Sequence, residues 1–234
     1  MSLARRSFGF TCLILALCAV TTAAHATAPP LRSPQVPFAA ASLQGYLNGV
    51  GESINVLTDQ INAQTFITSV SGNTEFTLMI ELSGNAALNH IGVYNGSDPN
   101  GFPPLFEVFP PIATAGWFAS AHFAFGQLVV TLFDQNSIIQ GQTVYNGVDA
   151  TNFGFYIQEP TGLKFSQDYR NGGEPHMLTF AGTGRNAGDW WECFEDTPFA
   201  DTPPDFDDAV LLLQSVTPTP NAPHSWGSIK RLFR

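Results

Sequence analysis

Apolar positions at the front of the chain follow a helical rhythm. Leu43, Leu47, Val50, Ile54, Leu57 and Ile61 recur at alternating steps of four and three, which places them on one helical face. Gly45, Gly49 and Gly51 weaken that helix, since each glycine costs about 1 kcal/mol against alanine inside a helix. The pattern therefore predicts one short helix near the front. From Thr65 onward the period drops to two. Along 75–82, Phe76, Leu78, Ile80 and Leu82 share one face while Glu75, Thr77, Met79 and Glu81 share the other, as in a half-buried strand.

Similar short runs follow at 89–94, 105–109, 118–125, 128–134, 152–158, 163–169, 176–181, 189–196 and 208–216. Turn clusters such as Asn95-Gly96-Ser97-Asp98-Pro99-Asn100-Gly101 and Asn171-Gly172-Gly173 separate them. Many short strands punctuated by Gly, Pro and Asn predict an all-β fold, a two-sheet β-sandwich or jelly-roll-like domain with one short N-terminal helix. Two runs echo each other: His90-Ile91-Gly92-Val93-Tyr94 and Asn152-Phe153-Gly154-Phe155-Tyr156 both read apolar-Gly-apolar-Tyr at their centres. Glycine inside a strand marks a bulge or the close approach of a large group, here expected to be an aromatic ring from a neighbouring strand.

The ends divide the chain. Arg5 and Arg6, an apolar stretch from Phe8 to Val20 and the small-x-small triplet Ala24-His25-Ala26 form an export signal, expected to be cleaved so that residues 1–26 are removed. Arg5-Arg6-Ser7-Phe8 also fits the core of a twin-arginine signal, so both the general secretory and the folded-export routes stand, the apolar core favouring the first. Leu17 argues against a lipid anchor on Cys18, because a lipobox wants a small residue there. Residues 27–41, with Pro29, Pro30, Pro34 and Pro37, read as a Pro-rich tether. Residues 42–217 read as the β-sandwich domain with an acidic C-terminal loop, and 218–234 as a flexible tail. The expected location is secreted, periplasmic or cell-surface, with no transmembrane segment once the signal is gone.

Charge and cysteine usage narrow the partners. The formal charge is −10 and becomes −12 when Arg5 and Arg6 leave with the signal, a surface unsuited to nucleic acid. Cys12 and Cys18 leave too, so Cys193 remains by itself, either a buried small hydrophobe or half of an intermolecular bridge. Its place between Trp191 and Phe194 favours burial.

The most informative stretch is acidic. Asp189-Trp190-Trp191-Glu192-Cys193-Phe194-Glu195-Asp196 is followed by a loop and then by Asp205-Phe206-Asp207-Asp208-Ala209-Val210-Leu211-Leu212-Leu213, with eight carboxylates between Asp189 and Asp208. Two apolar strands pin the loop, and a hairpin-like return would gather Glu195, Asp196, Asp205, Asp207 and Asp208 around one point. Like charges held close cost free energy unless something neutralises them. Calcium suits such a cluster, being a hard cation that takes six to eight oxygens in irregular geometry. The competing reading is a solvated acidic turn that caps its own backbone. The spacing is not that of an EF-hand, and the absence of histidine from the cluster speaks against zinc.

Phe194-Glu195-Asp196, a loop, and Asp205-Phe206-Asp207-Asp208 before an apolar strand resemble the signature of domain of unknown function 4114. The resemblance extends back through the two Gly-containing runs and to His176, which is similar to the histidine at a strand start in that family. It covers most of the stretch from Ser42 to Val216 and is specific only in the acidic segment. It implies an exported bacterial β-sandwich with a calcium site, in a family whose members often carry a PEP-CTERM sorting tail and whose biochemical role is unassigned. Two departures stand out. Asp207-Asp208 replaces the family's Asn-Asp pair, and Thr202-Pro203-Pro204 replaces its glycine-rich loop. Pro218-Thr219-Pro220 and Arg234 match the ends of the sorting tail without the apolar span between them.

Taken together, the residues point to an exported calcium-binding surface or matrix protein without catalytic activity. A carbohydrate-binding module is the alternative, with Trp117, Trp190, Trp191, Trp226, Tyr94 and Tyr156 as candidate stacking platforms for extracellular polysaccharide or other cell-surface components. A secreted hydrolase has less behind it. No nucleophile elbow or zincin motif occurs, His90, His122, His176 and His224 are scattered, and the strand pleat would send Glu195 and Asp196 to opposite faces.

Overall fold

The computed structural model describes residues 29–97, 101–160, 162–200 and 203–220. The described residues form thirteen strands, ten of them at the alternating runs. The first seven are β1 (Ala63–Thr68), β2 (Asn73–Ile80), β3 (His90–Asn95), β4 (Leu105–Phe109), β5 (Phe118–Ala124), β6 (Gln127–Phe133) and β7 (Ile139–Asn146). The rest are β8 (Phe153–Glu159), β9 (Gly162–Phe165), β10 (Met177–Ala181), β11 (Trp190–Phe194), β12 (Ala209–Gln214) and β13 (Val216–Pro220). They build two antiparallel sheets. One runs β13-β1-β8-β3-β4, with β9 also paired to β8; the other runs β10-β11-β12-β2-β5-β6-β7. The all-β two-sheet architecture expected from the sequence is thus the fold of the chain.

Facing side chains of the two sheets make the main core. Phe66, Phe76, Phe153, Phe155, Leu211 and Leu213 are fully buried in it, and Phe155 meets Phe66 and Phe76 edge to face at 5.4 and 5.3 Å. Each such ring or leucine contributes roughly 1.5–3 kcal/mol on leaving water. A second apolar cluster lies on the other face of the seven-stranded sheet, where Leu178, Phe180, Trp191, Cys193, Val210 and Leu212 pack under Leu43, Leu47 and Phe206. Strands β10 to β12 are therefore covered on both faces. This explains why Val210-Leu211-Leu212-Leu213 is continuously apolar instead of alternating.

The material covering that second face departs from the sequence expectation in two ways. The helix α1 spans Ala41–Gly49 and stops there, because the chain turns through Gly51 at φ +92°. Leu43 and Leu47 are its buried residues; Ile54 and Ile61 are buried from the loop beyond it, and Leu57 is exposed. The Pro-rich segment, expected to be a tether, is instead a docked strap from Pro30 onward. Pro30 accepts the Asn62 N–H and Arg32 donates to the Gln60 carbonyl. The buried Gln60 amide accepts from the Val36 N–H at 2.8 Å and donates to its carbonyl at 2.9 Å. The tail likewise starts as strand β13, which pairs with β1 from Val216 to Pro220. The export signal expected at 1–26 and the tail beyond residue 220, including Trp226, lie outside the described residues.

The Gly-Tyr echo has a packing origin. β3 and β8 are antiparallel neighbours in which Gly92 faces Tyr156 and Tyr94 faces Gly154. Among the described residues no helix is long and apolar enough to cross a membrane. Cys193 is fully buried and free.

Candidate metal centre

β11 and β12 are paired so that Phe194 lies opposite Ala209, which puts Glu195 and Asp196 just beyond one strand end and Asp208 just before the other. The return of the chain gathers carboxylate oxygens of Glu195, Asp196 and Asp208 within 4.8 Å of one another. The pleat does not separate Glu195 from Asp196, because both lie past the last ladder pair and outside β11. Glu195 and Asp196 are 3% and 1% exposed, whereas Asp208 is half-buried.

Each carboxylate is positioned by neighbours. Asp208 Oδ2 accepts the Asp196 N–H at 2.8 Å. Glu195 Oε1 accepts from the Thr197 hydroxyl at 2.6 Å and Oε2 from the Asp205 N–H at 2.9 Å. Asp196 Oδ2 accepts from the Ser83 hydroxyl and from Asn89 Nδ2, the latter at 3.3 Å. Asn89 is 2% exposed, and its Oδ1 has no hydrogen-bond partner. Oxygen and nitrogen of an amide are exchanged by a half-turn about its last torsion; in the turned state Oδ1 would take the place of Nδ2 beside Asp196. His176 braces the opposite side, Nδ1 donating to the Glu195 carbonyl at 2.9 Å while its own carbonyl accepts the Glu195 N–H.

The electrostatics are those of crowded acids. Burial, reinforced by the charges of Asp196, Glu195 and Asp205, pushes the Asp208 carboxyl up to about 8. Glu81, just past β2, is raised to about 7 by burial and by Asp196. Protons held this tightly near pH 7 mark a place where positive charge is favoured.

Of the five residues expected as ligands, Glu195, Asp196 and Asp208 come together, and Asp205 and Asp207 fall outside that group. Asp205 supplies its backbone N–H to Glu195. Asp207 is raised by burial and bonded to Ser42 at the start of α1, so it joins the loop to the helix. Phe206 between them sits at φ 57° and is fully buried between Phe38 and Phe199. A non-glycine residue in that left-handed region is uncommon, and here the ring anchor holds it. Ser83, Asn89 and Glu81 are the residues that sequence reading missed. They reach the site because β2 is the neighbour of β12, with the Leu82 N–H bonded to the Asp208 carbonyl at 3.0 Å, a pairing that no local motif announces.

A cation held at about 2.3–2.6 Å from each oxygen requires those oxygens to lie within about 5 Å of one another. The observed 4.8 Å meets that limit, and an all-oxygen donor set suits a hard cation over zinc. Beneath the strap is a cavity of about 740 Å³ bordered by Arg32 and Asp168, which form an ion pair, and by Phe199 and Pro204 of the acidic loop. Four of the proposed sugar platforms, Trp117, Trp191, Tyr94 and Tyr156, are buried, and the Trp190 indole N–H is bonded to the Val216 carbonyl at 3.1 Å. Comparison of the chain with known protein families, with curated proteins and with solved structures finds no match.

Proposed function

We propose that this protein is an exported, calcium-binding β-sandwich module that works by binding and not by catalysis, in line with its resemblance to domain of unknown function 4114. The observation carrying this reading is the convergence of Glu195, Asp196 and Asp208 within 4.8 Å beside the buried, unpartnered Asn89 Oδ1. Three carboxylates would more than balance the charge of the ion. The Ser83 hydroxyl, a turned Asn89 amide and water would complete its oxygen shell, since calcium takes six to eight ligands. Burial of Glu195 and Asp196 supports a structural ion over a reaction, because a substrate has no access to carboxylates 3% and 1% exposed. The bound ion would fasten the end of β11, the start of β12 and the 81–89 segment to one another. The test is titration calorimetry with calcium on protein first stripped by chelator. A one-to-one binding isotherm is expected, and no heat together with an unchanged melting curve would overturn the reading.

A further inference from the structure

A β-sandwich has open strand edges, and each is a template for another strand unless something blunts it. Most of the edges here are blunted. β10 is covered by the chain entering β1, with the Ile61 N–H on the Thr179 carbonyl at 2.8 Å. β13 carries Pro218, which has no N–H to offer. β4 has Glu107 at its centre and is flanked by Pro103, Pro104, Pro110 and Pro111. β9 is 4 residues long and contains Lys164.

The outer edge of β7 has none of these devices. The strand is 8 residues long, Ile139-Gln-Gly-Gln-Thr-Val-Tyr-Asn146, without a charge or a proline, and exposed along nearly its whole length. Its one irregularity, where the pairing shifts between Leu132 and Phe133, falls at the start and leaves Gly141 to Asn146 in regular register. Side chains that could cover the edge are tied back instead. Gln140 donates to Asp134, Gln142 to the Thr131 hydroxyl, and Asn146 accepts from Gln127. The Tyr145 hydroxyl donates to the Glu107 carbonyl at 3.0 Å, which fixes the strand against the other sheet. Among the described residues the outer backbone groups of the strand are thus bare, while Ile139 and Val144 are 62% and 52% exposed beside it.

We propose that β7 is the docking strand for a second copy of this chain, the two strands pairing antiparallel about a two-fold axis so that the seven-stranded sheet continues into its partner. Charge distribution identifies the occupant. The chain carries −10, yet Asp134 is its sole charged residue from Val108 to Val148, and Glu107 of the facing sheet is the carboxylate beside Tyr145, so the edge made by β7 lets two copies meet with little repulsion. Antiparallel pairing about a two-fold also keeps the faces matched, Gln142 and Val144 remaining on the outer face of both copies and Thr143 and Tyr145 on the inner one.

Sedimentation velocity on the protein as processed by its cells tests this, from roughly 1 to 500 µM, in chelator and in calcium alike so that the outcome is independent of the metal centre. A concentration-dependent dimer is expected, with slowed hydrogen exchange at the β7 amides as the dimer forms. Val144→Lys sets like charges against each other across the junction and should weaken the dimer roughly tenfold or more. Val70→Lys, at a fully exposed loop position, should not. A monomer over the whole range overturns the proposal, as does a dimer whose β7 amides exchange as in the monomer, or one equally indifferent to both lysines. Capture of an extended peptide from another protein at β7, without self-association, overturns it as well.

Discussion

Tyr94 lies directly over Gly154, its partner across β3 and β8: a Cβ added at Gly154 would come within 2.5 Å of the tyrosine Cζ and 2.6 Å of Ser166 Oγ. Gly154→Ala should cost about 1–3 kcal/mol through overpacking. Gly92→Ala should cost at least as much, since there the added carbon meets the Phe106 carbonyl oxygen at 2.2 Å, and backbone cannot swing aside. Gly45→Ala on α1 meets open space and should stabilise by up to about 1 kcal/mol. Urea melts of the three variants check the ordering.

At the metal centre, calcium at a hundredfold excess over its Kd should stabilise the fold by about 2.7 kcal/mol. Asp196→Asn combined with Asp208→Asn should abolish most of the resulting rise in melting temperature. Asp207→Asn should leave most of it in place, because that carboxylate is bonded to Ser42 and lies outside the converging group, feeling Glu195 only through its charge. Melting curves in chelator and in millimolar calcium decide between these outcomes.

Calcium bound at Asp208 would have to displace the proton that burial favours there, the carboxyl being raised to about 8. Affinity should therefore fall as pH drops below about 8, by up to about tenfold per pH unit for each proton displaced. Calorimetry in buffers of different ionisation enthalpy, at pH 6 and pH 8, should register more proton release at the lower pH.

Glu192 gives a separate pH signature. It is fully buried on β11, its Oε2 accepting the Thr179 hydroxyl at 2.7 Å and its Oε1 without a partner, and burial raises its carboxyl from 4.5 to about 8. The folded state then holds a proton that the unfolded state has released. Its stabilising contribution is present below pH 4.5 and is lost as pH rises towards 8, at up to about 1.4 kcal/mol per pH unit. Glu192→Gln mimics the protonated form, so it should flatten this slope and make the protein more stable than the native sequence at pH 8. Urea midpoints between pH 5 and 9 in chelator, read against those of the native sequence, check it.

Local pattern carried the strands, and topology hid much of the site. Period-two runs such as Phe76-x-Leu78-x-Ile80 located β2 because one face of that strand is core and the other is only half covered. The same reasoning missed β7, whose residues are exposed on both faces and so leave no alternation to read. It also took the strap for a tether, because prolines look alike whether a segment is free or docked; what fixes this one is the distant Gln60 amide. Glu195, Asp196 and Asp208 were legible as strand-end acids on adjacent runs. Asn89 and Ser83 were not, since their approach to Asp196 depends on the placement of β2 beside β12, over 100 residues away in the chain.

The pairing of β1 with β13, Phe66 opposite Pro218 and Thr68 opposite Val216, also has a kinetic meaning. One of the first strands made finds its outer neighbour only when one of the last is available, and the strap and α1 cover β10 to β12, which are also late. The early strands β2 to β7 can pair among themselves, but β1, the strap and α1 must wait for β8 and β10 to β13, so this part of the sandwich closes last, as expected where contacts span most of the chain. Until then Phe66, Leu43 and Leu47 have no completed core, and apolar surface left open in an unfinished chain favours aggregation. Such a fold is well matched to threading through a narrow pore before it forms, and poorly matched to waiting half-made in a crowded compartment.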